Sequence, residues 1–149
     1  MKSGLTAIVA IPPDSAWEPI QAIRRVHDRH VRRWMPHVNL LFPFVAPHEI
    51  EGAVPRIATA LQDQPPLEVT LAEFRFFRHA SGSATVWLAP EPRQPLVALH
   101  AVLVRAVPEC NDLDRFGEGF TPHLSVGQAR TTQEAQVIIG RLQAAWRLA

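Results

Sequence analysis

His37 and Asn39 stand two apart at the head of an apolar run, in PHVNLLFPF (Pro36 to Phe44). His123 and Ser125 repeat the arrangement in PHLSVGQ (Pro122 to Gln128). Residues i and i+2 of a strand share one face. Each run therefore sets an imidazole, which gains or loses a proton near neutral pH, beside a neutral hydrogen-bonding group. That group is an amide in Asn39 and a hydroxyl in Ser125. Two such units around one ligand suit in-line displacement at phosphorus. One histidine removes a proton from the attacking water or hydroxyl, and the other protonates the departing oxygen. Asn39 and Ser125 hold the nonbridging oxygens as charge develops. The chemistry calls for no metal and no other cofactor, and the sequence leaves open which histidine is base and which acid.

Several residues near the motifs are candidates for holding a substrate. Arg32 and Arg33 directly precede the first motif, and Arg130 follows the second. The planar fork of arginine suits phosphate. Arg78 is a weaker choice. Phe120, just before His123, is a candidate for stacking on a base or for plain core packing. The stretch FGEGF (Phe116 to Phe120) follows no strand and is too short for a nucleotide fingerprint, so it reads as the rim of the site.

Other chemistry finds less support. His27 and His30 are three apart in a predicted helix, but a metal needs further ligands and no spacing suggests them. Cys110 has no nucleophile signature around it. As the only cysteine it forms no internal disulfide, which suits a reducing cytoplasm. Pro47-His48 lacks a following strand and reads as the start of a helix.

The elements that must position these residues follow from patterning. Leu5 to Ile11 reads as a buried strand stopped by Pro12-Pro13. Asp14 or Ser15 caps a helix running to about Arg33. VNLLFPFV is a second strand, and Pro47 opens a second helix. Leu67 to Phe77 alternates as a half-exposed strand, turns at Ser81-Gly82-Ser83 and returns through ATVWLAP as an antiparallel hairpin. QPLVALHAVLVRAV is a third helix. PECNDLDRFGEGFT is loop, HLSVGQ is a strand, and Thr131 or Thr132 caps a last helix. In each half a helix leads into Pro-His-strand and another helix follows, which suggests a pseudo-twofold repeat.

The 149 residues, 47% of them apolar, fit one globular domain or two small lobes with a shared core. The net charge of +1 is uneven, because Arg24 to Arg33 holds five arginines against one aspartate. A basic cluster beside near-neutral bulk suits an anionic partner, or simply a solvated helix face. No run approaches a membrane span, and the N-terminus lacks a cleavage signal, so a soluble, cytoplasmic protein is expected.

His37-Val38-Asn39-Leu40 and His123-Leu124-Ser125-Val126 resemble the two His-x-Thr/Ser-x motifs of the 2H phosphoesterase superfamily, which includes 2′-5′ RNA ligase-like proteins and cyclic phosphodiesterases. The resemblance covers nearly the whole chain, 1–149, as one domain of two similar lobes. It implies an α+β, bilobal, pseudo-twofold fold, with two antiparallel β-sheets around a central cleft and helices packed outside. It implies that His37 and His123 are the catalytic pair and that Asn39 and Ser125 bind phosphate. It implies an RNA end or small nucleotide as partner, carrying a 2′,3′-cyclic phosphate or a 2′-5′ linkage, and a monomer is expected. Asn39 stands where that family usually has Thr or Ser, and a binding module without catalysis is the alternative.

Overall fold

The computed structural model describes residues 1–115 and 119–146. Its strands are β1 (Lys2–Ser3), β2 (Ile8–Ala10), β3 (Val38–Leu41), β4 (Phe44–Val45), β5 (Thr70–Arg78), β6 (Ala84–Glu91) and β7 (Leu124–Ala129). Its α-helices are α1 (Trp17–His27), α2 (Ile50–Leu61), α3 (Gln94–Ala106) and α4 (Thr132–Ala145). The strands pair into a two-stranded and a five-stranded sheet, so the class is α+β as expected. No helix among the described residues is long and apolar enough to cross a membrane.

The chain forms two compact units built from alternating segments. The first takes Met1–Ala10, Asn39–Glu68 and Pro92–Pro122. In it β1 runs antiparallel to β4, with Lys2 opposite Val45 and Ser3 opposite Phe44. Helices α2 and α3 pack on one another and bury Leu41, Ala53, Leu96, Leu103 and Val107 with Cys110. His100 is 2% exposed and fully engaged: Nδ1–H donates to the Leu40 carbonyl at 2.6 Å, and Nε2 lies 2.9 Å from Asp114 Oδ1.

The second unit takes Ile11–Val38, Val69–Glu91 and His123–Ala149. β5 and β6 form the expected hairpin, registered from Thr70 opposite Glu91 to Arg78 opposite Ala84. Its turn needs Gly82, whose φ of +91° is left-handed territory that favours glycine. β6 pairs antiparallel with β7, and β7 with the first residue of β3, Val38 opposite Leu124. α1 packs on β7, and α4 lies on β5, β6 and β7. Thr131 is the cap of α4, its Oγ1 accepting from the Glu134 amide at 3.1 Å. At the other end Trp146 Nε1 donates to the Leu71 carbonyl at 2.7 Å.

Neither Asp14 nor Ser15 caps α1, which follows a 3-10 turn at Asp14–Ala16 and has no side-chain cap. Three further expectations need correction. The first helix ends at His27, not near Arg33, because Asp28 turns its carboxylate onto the His30 amide at 2.9 Å and leaves helical geometry. Arg29 to Arg33 therefore sit in turns. The run VNLLFPFV is two strands rather than one; Pro43 lies between them and has no N–H for a ladder. The strand expected from Leu5 to Ile11 is only Ile8–Ala10, and none of it is fully buried. Residues 116–118 of the FGEGF stretch lie outside the described residues.

Candidate functional site

β3 and β7 share one alternation. Val38 and Leu40 are buried, as are Leu124 and Val126, while His37, Asn39, His123 and Ser125 are half-buried. The apolar members face the core, and the polar members take the other face of their strands. In the second unit the pairing of Val38 with Leu124 fixes how the motifs meet. The pairing of the two strands is this one residue pair, and His37 and His123 directly precede its two members. Both histidines thus belong to one unit, each directly before its strand, and not to one unit each. Asn39 follows Val38 on β3, in the first unit.

His37 is oriented by the backbone. Its Nδ1 lies 2.7 Å from the Met35 carbonyl oxygen, which can only accept, so Nδ1 carries a proton. In the neutral ring Nε2 is then the acceptor. Burial lowers the pKa of His37 below the usual 6.5; the Met35 bond works against that shift, Arg24 assists it, and Asp28 opposes it. The imidazole is therefore held neutral at physiological pH. Trp34 flanks it, with ring centroids 5.8 Å apart.

His123 is flanked by rings as well. Phe77 meets it edge-to-face at 4.8 Å, and Trp87 lies 5.8 Å away. Trp87 is the register partner of Ser125 on β6, so the two side chains share a face. Sequence reading did not single out Phe77 or Trp87 as neighbours of His123, nor Trp34 as a neighbour of His37. The alternation of β5 and β6 was the only available signal, and it does not show which strand lies beside β7.

Of the candidate substrate contacts, Arg32, Arg33 and Arg130 are exposed. No carboxylate forms an ion pair with any of them among the described residues. The Arg33 guanidinium lies 6.0 Å from the Trp34 ring centroid. Phe120 sits in the first unit, 6% exposed, its ring stacked on His100 at 4.1 Å. Arg24, counted in the basic cluster, is not on a solvated face: it is 1% exposed and paired with Asp28. His27 ends α1, and His30 lies on the following turn, where its Nε2 accepts from Arg29 at 3.3 Å. No group of three His, Cys, Asp or Glu is placed to hold a metal ion among the described residues. Cys110 is buried, and burial pushes its thiol pKa up.

Two comparisons bear on this arrangement. The Geobacillus kaustophilus (strain HTA426) protein named "Putative phosphoesterase GK0864" is 26% identical over 126 residues, spanning 81% of this chain and 67% of that protein. The family described as the 2′-5′ RNA ligase superfamily matches residues 12–149. That match takes in both motifs and all four helices, and the general class it indicates is cleavage or ligation of phosphodiesters. The chain belongs to the 2′-5′ RNA ligase superfamily.

Proposed function

We propose that the protein is a metal-independent phosphodiesterase acting on an RNA end or small nucleotide, opening a 2′,3′-cyclic phosphate or making or breaking a 2′-5′ linkage. The observation that carries this reading is the pairing of Val38 with Leu124, the residues that directly follow His37 and His123. In this reading a phosphate lies between the two imidazoles. His37 is the base, since its ring is held neutral with Nε2 open to accept. In hydrolysis of a cyclic phosphate, Nε2 takes a proton from water as the water oxygen bonds to phosphorus. The bond from phosphorus to one ribose oxygen breaks, and His123 gives that oxygen a proton. Ser125 and Asn39 donate to the nonbridging oxygens. Each acid or base step is worth roughly 10²- to 10⁴-fold.

The test is turnover of nucleoside 2′,3′-cyclic phosphates and 2′-5′-linked dinucleotides in the presence of a chelator. His37→Ala and His123→Ala should each lower kcat by at least about 10²-fold without a change in fold. Full activity in either variant would sink the assignment. A noncatalytic binding module, which Asn39 in place of Thr or Ser favours, predicts nucleotide binding with no turnover even in the wild type.

A further inference from the structure

Three rings meet beside His123. Phe77 stacks on Trp87 with centroids 4.7 Å apart and planes inclined by 26°. His123 lies 4.8 Å from Phe77, at 90°, and 5.8 Å from Trp87. Those separations make a compact triangle, so the imidazole stands at the side of Phe77. The phenyl face opposite Trp87 is left free of it. Phe77 is half-buried, and among the described residues no other ring stacks on that second face.

The hairpin register describes the surroundings of this face. Phe77 pairs with Thr85, Arg75 with Trp87, and Trp87 with Ser125. Opposite residues share a face of the sheet, so these side chains all project from the side that carries Ser125. His79 Nε2 lies 2.7 Å from Thr85 Oγ1. The Arg75 guanidinium is 6.0 Å from the Trp87 centroid. Glu73 accepts from that guanidinium at 3.1 and 3.3 Å, so the groups beside Phe77 that can bond the edge of a planar heterocycle are the Thr85 hydroxyl and the His79 imidazole.

The indole beneath is held without a polar anchor. Trp87 is 4% exposed and its Nε1–H has no hydrogen-bond partner. Burial and the contact with Phe77 position the indole, which backs the phenyl ring before any ligand arrives.

We propose that the face of Phe77 turned away from Trp87 is the stacking platform for the nucleobase joined to the phosphate that lies between His37 and His123. This rests on the phosphodiesterase reading above and extends it: the substrate is a nucleotide recognised through its base, and not a bare cyclic phosphate. Stacking is tolerant of base identity, because every base has a π-face. Any preference among bases comes from His79 and Thr85 at the border.

The experiment compares binding of adenosine 2′-monophosphate with that of ribose 5-phosphate, which lacks a base, by calorimetry. The wild type should bind the nucleotide more tightly. Phe77→Ala should weaken nucleotide binding by about five- to 150-fold and leave ribose phosphate unaffected. Phe77→Tyr should bind like the wild type, and Phe77→Leu, which keeps the bulk but not the ring, should behave like Phe77→Ala should the latter fold poorly. Equal wild-type affinity for both ligands overturns the proposal, and so does equal weakening of both in the leucine variant. Because the readout is binding, the two readings separate. Base-dependent binding without turnover removes the catalytic reading and keeps the platform. Turnover with base-independent binding does the reverse.

Discussion

Arg24 Nε donates to Asp28 Oδ2 at 2.8 Å, and the two side chains are only 2% and 3% exposed. The pair ties α1 to the turn that precedes His37. Arg24 also donates to the Trp34 carbonyl at 2.7 Å, while Asp28 accepts from the His30 amide at 2.9 Å and from Gln128 at 3.1 Å. Removing one partner of a buried pair strands the other charge and typically costs about 3–5 kcal/mol. Asp28→Ala should lower the unfolding free energy by that order in a urea titration. A loss under about 1 kcal/mol would mean that water reaches Arg24.

The same pair gives stability a pH dependence. Burial pushes the Asp28 pKa up, but the bonds from Arg24, His30 and Gln128, with the Arg24 charge, hold it below the usual 3.8. A depressed carboxyl contributes stability above its unfolded pKa and loses that contribution as pH falls through the folded value. The wild type should therefore lose stability as pH drops below about 4. Asp28→Asn should flatten this acid limb, as read from melting temperatures between neutral pH and the acid end.

His37 titrates on the other side of neutrality. Its folded pKa lies below the usual 6.5, so NMR of its ring protons should place protonation below that value. The neutral form is the one the fold prefers, and its contribution is present above about pH 6.5 and shrinks as pH falls. Asp28 acts to raise the pKa of His37, so Asp28→Asn should lower it further. If His37 is the base, the acid limb of kcat/KM should move down with it in that variant. A limb that stays put while the NMR value moves would assign the base elsewhere.

Two glycines separate packing from propensity. A Cβ on Gly127 would lie 2.5 Å from His27 Cβ and 3.0 Å from the His27 carbonyl oxygen, at the end of α1 where it packs on β7. Gly127→Ala should cost about 1–3 kcal/mol through overpacking. A Cβ on Gly140, exposed in α4, would meet nothing within 4 Å. Gly140→Ala should stabilise by about 0.5–1 kcal/mol through helix propensity and a less free unfolded chain. Opposite shifts in melting temperature are expected, and equal ones would contradict the close approach at Gly127.

What could be read from the sequence was local. The i, i+2 placement of His37 and Asn39, and of His123 and Ser125, followed from strand alternation, and the half-buried polar positions agree. The hairpin followed from alternating runs around Gly82, and the cap at Thr131 from its place before a helical run. Long-range pairing could not be read in this way. Nothing in PHVNLLFPF says that Val38 will meet Leu124, which puts both histidines in one unit. The fate of Arg24 was hidden for the same reason. Among five arginines in ten residues it alone is buried, because Asp28, Trp34 and Gln21 converge on its guanidinium. Trp87 looked like generic core, and its place between Ser125 and Arg75 depends on strand order.

Arg32, Arg33 and Arg130 are exposed beside the two motifs and lack carboxylate partners among the described residues, so their charges are open to a phosphate chain. Arg25 serves as the contrast. It is exposed as well, but Glu18 accepts from it twice, at 2.9 and 3.0 Å. Binding of a short single-stranded RNA releases counterions, and the slope of log affinity against log salt falls by about 0.7 for each phosphate that is no longer neutralised. Arg32→Ala, Arg33→Ala and Arg130→Ala should each lower affinity to a similar degree for all sequences, and those that touch phosphate should reduce the slope by that amount. Arg25→Ala should leave the slope as it was, because its charge is already answered by Glu18. Equal slopes in all four variants would show that these arginines do not track the backbone. Anion recognition would then rest with the donors beside the histidines.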